Sequence, residues 1–189
     1  NKDHRVKNVE YLKANINCQS ELKKNISFKK FTHVVNLGGY INHSHYLTGG
    51  RNTLDVHFNG LLNLTEFLDW SLLKSFVQIG SSDEYGDSPA PQKEDYCPNP
   101  ISSYSIAKAA ATMFLQMLHR TENFPVVILR FFLVYGPGQD QSRFLPQIIS
   151  GCIKNSSFQT SQGLQLRDFC YISDAVKAIF IALESSDAN

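Results

Sequence analysis

The sequence predicts an α/β fold in which a parallel sheet is covered by helices on both faces. Three observations predict it. Short runs that are apolar on both sides recur along the chain, and segments of helical period separate them. Glycines, hydroxyls and charged residues cluster just after the apolar runs. Runs buried on both faces belong to parallel sheets, and strand–helix alternation at these lengths implies crossover connections.

Taken in order, Val9-Glu10-Tyr11-Leu12 reads as a short strand, and His33-Val34-Val35-Asn36-Leu37 as a stronger one. Helical spacing follows from about Asn52 to Leu68, where Leu54, Phe58, Leu61, Leu62, Leu64 and Phe67 fall mostly on one side. Phe76-Val77-Gln78-Ile79-Gly80 is the next strand. Pro89, Pro91, Pro98 and Pro100 then mark an excursion over the surface. A second helix is predicted from about Ser103 to Arg120, with Ile106, Ala110, Met113 and Met117 at helical spacing and small Ala107, Ala109 and Ala111 among them. Val126-Val127-Ile128-Leu129-Arg130-Phe131 closes the set of strands.

Composition narrows the function classes. The 189 residues fit one domain and can bury a core, and 42% apolar with 19% charged residues is ordinary for a globular chain. A net charge of +1 supplies no bulk attraction to nucleic acid or to an anionic membrane. Cys18, Cys97, Cys152 and Cys170 lack ligand-like or C-x-x-C spacing, which predicts reduced thiols in a cytoplasmic protein. The longest apolar stretch, Phe124 to Tyr135, is too short to span a bilayer and carries Arg130. No signal peptide is visible. His43 and His45 alternate in a loop without a third ligand type nearby, so no metal is predicted.

The chemistry concentrates at strand ends. Gly38-Gly39 follows the first strong strand, Ser81-Ser82-Asp83-Glu84-Tyr85-Gly86 the second, and Tyr135-Gly136-Pro137-Gly138 the third. Open parallel sheets bind ligands outside the carboxyl ends of their strands, so the three clusters predict one shared cleft. Tyr104 and Lys108 stand one helical turn apart and share a face. A phenol beside an ammonium is expected to have its pKa drawn down from about 10 toward the working range, where it can take and return a proton. A serine hydroxyl at the facing strand end, Ser81 or Ser82, would hold the same substrate oxygen.

In these residues the chain resembles the extended short-chain dehydrogenases/reductases, the NAD-dependent epimerases and dehydratases of nucleotide sugars. The resemblance runs from about Val9 to Leu183. It rests on Val35-Asn36-Leu37-Gly38-Gly39, Gly80 to Gly86, Tyr104 to Lys108, Leu129 to Gly138 and Arg167-Asp168-Phe169. It implies a Rossmann-like, doubly wound parallel sheet, a bound NAD (NADP being the alternative) and a nucleotide-diphosphate sugar as substrate. Residue by residue, it implies Tyr104 as general base, Lys108 as its pKa partner and a ribose-binding residue, and Ser81 as the hydroxyl that orients the sugar oxygen. It further implies that Gly38 and Gly39 let the main chain approach the dinucleotide, and that Arg167 pairs with substrate phosphate. Where 4,6-dehydratases of the family carry a Glu for the C5 proton, this chain has Asp83. A one-residue gap would instead align Ser82-Asp83-Glu84 with the dehydratase Thr-Asp-Glu triplet.

The chain also departs from the family pattern. His57 stands where the family often has Asn, and Leu133 stands where Asn often follows the Arg-Phe-Phe run. No G-x-G-x-x-G or related glycine motif is found. The sequence therefore reads as residues 1–189 of a domain truncated at both ends, with the start of a substrate-binding region from about residue 139. The resemblance implies a homodimer of the full protein, paired through the two long helices. The function expected is oxidation of a hexose C4 hydroxyl to a 4-keto intermediate, followed by epimerisation or 4,6-dehydration. The alternatives are a nucleotide-4-keto-sugar reductase and a catalytically silent binding protein.

Overall fold

Helices and strands alternate along the chain. The computed structural model describes residues 5–27, 29–157 and 159–185. Helix α1 (Gln19–Ile26) precedes strand β1 (His33–Asn36), and a 3₁₀ turn at Tyr46–Thr48 leads into a long helical run. That run consists of α2 (Gly50–Leu54), a π turn (Asp55–Asn59) and α3 (Gly60–Phe67). Strand β2 (Ser75–Ser81) ends in a second 3₁₀ turn (Ser82–Tyr85). Then come α4 (Ser103–Glu122), β3 (Val126–Phe131), β4 (Leu133–Tyr135), α5 (Phe144–Lys154), β5 (Phe169–Tyr171) and α6 (Ile172–Glu184).

The main sheet is parallel, in the order β1-β2-β3, with Val35, Val77 and Val127 in register across it. Central strand β2 is buried at every position except Ile79, which is half-buried, and both α4 and α6 pack against it. A strand covered on both faces by helices is the layered arrangement that the apolar runs predict. The core gathers Leu61, Leu73, Phe76, Leu115, Leu118 and Phe124 between the sheet, α3 and α4. Its aromatic contacts set the ring of Phe124 4.8 Å from Trp70 and 5.3 Å from Phe76, centroid to centroid.

Several expectations are corrected. Val9 to Leu12 form no strand: all four residues are exposed, and without a pairing partner their main chain has no ladder to join. The helix expected at 52–68 spans 50–67 and is interrupted by the π turn. The glycine cluster at 135–138 does not follow β3 directly. The chain breaks at Phe132 into β4, which pairs with β5 as a separate two-stranded parallel sheet, Val134 opposite Cys170. Helices α1, α5 and α6 were not anticipated. In α5 the proline at 146 lies in the first turn, where an amide has no helical partner to lose. Among the described residues no helix is long and apolar enough to cross a membrane.

Candidate active site

Two local devices place the chemistry. The first is the end of β2. The Ser81 amide donates to Glu84 Oε1 at 2.8 Å, and Ser81 Oγ accepts from the Asp83 amide at 3.2 Å. This reciprocal cap turns the chain sharply and fixes the serine rotamer. Glu84 is held from behind by Arg130, whose Nε donates to Oε2 at 2.9 Å. The second device is the start of α4, where Ser102 Oγ accepts from the Ser105 amide at 3.0 Å and Ser105 Oγ accepts from the Ser102 amide at 2.8 Å. Tyr104 therefore sits in a well-anchored first turn, with Lys108 one turn on.

The devices bring the Ser81 hydroxyl beside the Tyr104 phenol, near enough to act on its pKa. Both line a cavity of about 490 Å³ whose walls include Ile41, Leu133, Val134, Tyr135, Asp140 and Arg143. Leu133 lines the cavity with carbon where the family pattern often has an amide. Lys108 lies behind the ring, Nζ 5.8 Å from the Tyr104 centroid, and donates to the Ile79 carbonyl at 2.8 Å. A larger hollow of about 600 Å³ runs along Val126–Phe132 beside α4 and includes none of Ser81, Tyr104 or Lys108.

The electrostatics differ from the expectation in one respect. Burial pushes the Tyr104 phenol above its ordinary pKa, the neighbouring Ser81 hydroxyl pulls it down, Asp83 and Glu84 raise it, and Arg143 lowers it. The predicted depression by Lys108 is not seen, because that amine has already lost its proton at the pH where the phenol ionises. Burial lowers the Lys108 pKa from 10.5 to about 8, against an opposing pull from Glu84.

Two imidazoles flank the phenol. The His43 ring meets the Tyr104 ring edge-on at 5.4 Å, with Nε2 3.7 Å from Asp83 Oδ2, and the buried His57 ring meets it at 5.3 Å. Sequence reading set His43 aside as incidental and treated His57 only as a departure. Residues 43, 57, 83 and 104 converge only through the fold, and no spacing announces it. Arg143, which caps α5, was missed for the same reason.

The remaining expected residues are placed as follows. Asp83 is half-exposed beside Tyr104, whereas Glu84 is fully buried against Arg130. Ser82 opens the turn but does not line the cavity. Arg167 is exposed outside the cavity wall and donates to the Leu166 carbonyl at 2.8 Å. Gly38 and Gly39 leave exposed main chain at the carboxyl end of β1. Gly39 has φ +120°, and a Cβ there would stand 2.0 Å from His57 Cε1. Its lack of a side chain is thus required by the imidazole beneath it. This bare loop and a buried ammonium with N–H groups left over beyond Ile79 fit one side of a dinucleotide and its ribose. Among the described residues no group of three or more His, Cys, Asp or Glu converges to hold a metal.

A parallel α/β sheet with a serine, tyrosine and lysine gathered at its carboxyl edge is the layout of a short-chain dehydrogenase/reductase. The description of the NAD dependent epimerase/dehydratase family matches residues 1–189, and the chain belongs to that family. It is 30% identical over 146 residues to an uncharacterized UDP-glucose epimerase of Bacillus subtilis (strain 168), covering 72% of this chain and 46% of that protein. It is 33% identical over 120 residues to human dTDP-D-glucose 4,6-dehydratase, covering 59% of this chain and 33% of that protein. Among solved structures it resembles the Bacillus cereus UDP-glucuronic acid 4-epimerase in complex with UDP-glucuronic acid and NAD. There the TM-score is 0.70 at 26% identity, over 88% of this chain and 52% of that one. The chain thus spans less than half the length of both of these sequence relatives.

Proposed function

We propose that the chain carries the reacting centre of an NAD-dependent nucleotide-sugar epimerase, with 4,6-dehydration as the second reading. The observation that supports this best is the meeting of Ser81 and Tyr104 on the wall of one cavity, backed by Lys108. A bound nicotinamide would supply the acceptor for the C4 hydride. Gly38 and Gly39 would present main chain to the dinucleotide, and Lys108 would hold its ribose.

The residues' own part is proton handling and orientation. With one lone pair of Ser81 Oγ taken by the Asp83 amide, its O–H can donate to the sugar C4 oxygen while its second lone pair accepts from the Tyr104 phenol. Tyr104 takes the C4 hydroxyl proton as C4 becomes a ketone, and returns a proton to that oxygen when the ketone is re-reduced. Burial favours the protonated phenol, the form that gives the proton back; Ser81 and Arg143 favour the form that takes it. Arg143 presents a guanidinium to the same cavity and suits an anionic group of the substrate, a role the geometry supports better than it does for Arg167.

Epimerisation asks for no acid beyond Tyr104, which is why it leads. Dehydration needs a further acid/base group, and Asp83 is the accessible carboxylate, since Glu84 is committed to Arg130. The four free cysteines favour a reducing, cytoplasmic setting. A homodimer is supported by the outer face of α4, where Ile106, Met113 and Met117 are exposed.

The test is to incubate the intact protein with NAD and a panel of UDP-, dTDP- and GDP-hexoses. Absorbance at 340 nm and proton NMR of the sugar are then followed. C4-inverted product supports epimerisation, and a 4-keto-6-deoxy sugar moves the assignment to dehydration. Absence of turnover with every sugar defeats the enzymatic reading.

A further inference from the structure

We propose that His57 is a positioning residue that ties the glycine loop Gly38–Tyr40 to the Tyr104 ring, so that loop and phenol adopt one fixed setting relative to each other. The catalytic consequence rests on the function proposed above; the structural tie does not.

The imidazole touches both parties. Its Nε2 lies 2.8 Å from the Tyr40 carbonyl oxygen and 3.2 Å from the Tyr40 amide nitrogen. Its ring stands against Tyr104 at 5.3 Å and 85°, an edge-to-face contact that fixes the tilt of the phenol. Gly39 closes over it so tightly that a methyl group would collide with Cε1 and Nδ1 at 2.0 and 2.4 Å.

The local backbone is shaped around this position. His57 is the middle residue of the π turn Asp55–Asn59, and single π turns within α-helices are frequent at functional sites. The residue is buried, and burial, with Lys108 adding to it, holds the imidazole pKa below its ordinary value. The ring therefore carries a single proton at neutral pH. Nε2 either donates to the Tyr40 carbonyl or accepts from its amide, and either bond anchors the loop. An apolar filler would occupy the volume without holding the Tyr40 main chain. A smaller polar residue would hold the main chain without bracing the phenol.

The test separates the two handles in the intact protein. His57→Phe keeps a ring, His57→Asn keeps a hydrogen-bonding group, and His57→Ala keeps neither. The first readout needs no cofactor: the ring signals of ¹³C-labelled Tyr104, assigned by their loss in Tyr104→Phe, and the Tyr40 amide signal. Both should shift in His57→Ala. The Tyr104 signal should return toward wild type in His57→Phe, and the Tyr40 signal in His57→Asn.

The second readout is turnover of UDP-glucose with NAD. All three variants should lose about tenfold or more in kcat, with KM for the sugar nucleotide within about threefold. Unmoved Tyr104 and Tyr40 signals in His57→Ala, or a kcat within about threefold of wild type, would overturn the proposal. Loss of the fold in all three variants would also overturn it, since His57 would then be a core residue only. If the wild type turns over no UDP-glucose, the proposed substrate is what fails, and the resonances alone decide the role of His57.

Discussion

Glu84 and Arg130 meet in the interior at 2.9 Å, the carboxylate fully buried and the guanidinium nearly so. The pair joins the turn after β2 to strand β3, and Glu84 Oε1 also receives the Ser81 amide. Removing one partner leaves an uncompensated buried charge. Glu84→Gln and Arg130→Met should each lower stability by about 3–5 kcal/mol in urea titration, and the double variant should recover part of that loss. Additive losses would mean that the two side chains act independently.

Tyr104→Phe should leave the fold intact while cutting turnover by about 10²–10⁴, the usual range for a general acid/base. Near-native circular dichroism with collapsed kcat is the expected pairing. Unchanged turnover would move the proton transfer to another group, with His43 the nearest candidate on the solvent side.

Much of this site could be read in the chain because its parts are local. Ser81 ends an apolar strand, Tyr104 and Lys108 share a helix face, and β1, β2 and β3 announce themselves as runs apolar on both sides. The rest depends on long-range meeting. Val9 to Leu12 had a strand-like composition but found no neighbour. Arg167, marked by resemblance, lies outside the cavity, while Arg143 enters through the start of α5. The histidines at 43 and 57 gain meaning only once the loop after β1 folds over α4. Spacing also could not foresee that desolvation would reverse the expected direction of the tyrosine shift.

Lys108 makes stability depend on pH in a defined window. Its pKa is about 8 in the fold, against 10.5 for the ordinary side chain. Between those values the unfolded chain holds a proton that the folded chain has released, so stability rises with pH across about 8 to 10.5. Below about 8 the full cost of burying the ammonium is present, about 3 kcal/mol at one pKa unit per 1.36 kcal/mol. Lys108→Met should abolish this rise. The difference in urea midpoint between variant and wild type, measured from pH 7 to 10.5, should therefore shrink as pH increases. A constant difference would contradict the assigned burial.

The outer face of α4 carries the dimer prediction. Met113 is 57% exposed, with Ile106 and Met117 on either side at helical spacing. Met113→Glu should convert a dimer to a monomer in sedimentation velocity without lowering the melting temperature of the subunit greatly. A wild-type protein that sediments as a monomer at micromolar concentration would refute the pairing.

The π turn has a consequence for the helix as a whole. A turn widened by one residue resets the angular phase, since each residue of an α-helix advances about 100°. Gly50 and Thr53, buried ahead of Asp55, and Leu61 and Thr65, buried beyond Asn59, all face the interior with the extra residue taken up between them. Excising a single residue between Asp55 and Asn59 can therefore be absorbed by returning that turn to α-helix, with the buried residues on either side keeping their faces, whereas inserting a further residue has no such outlet.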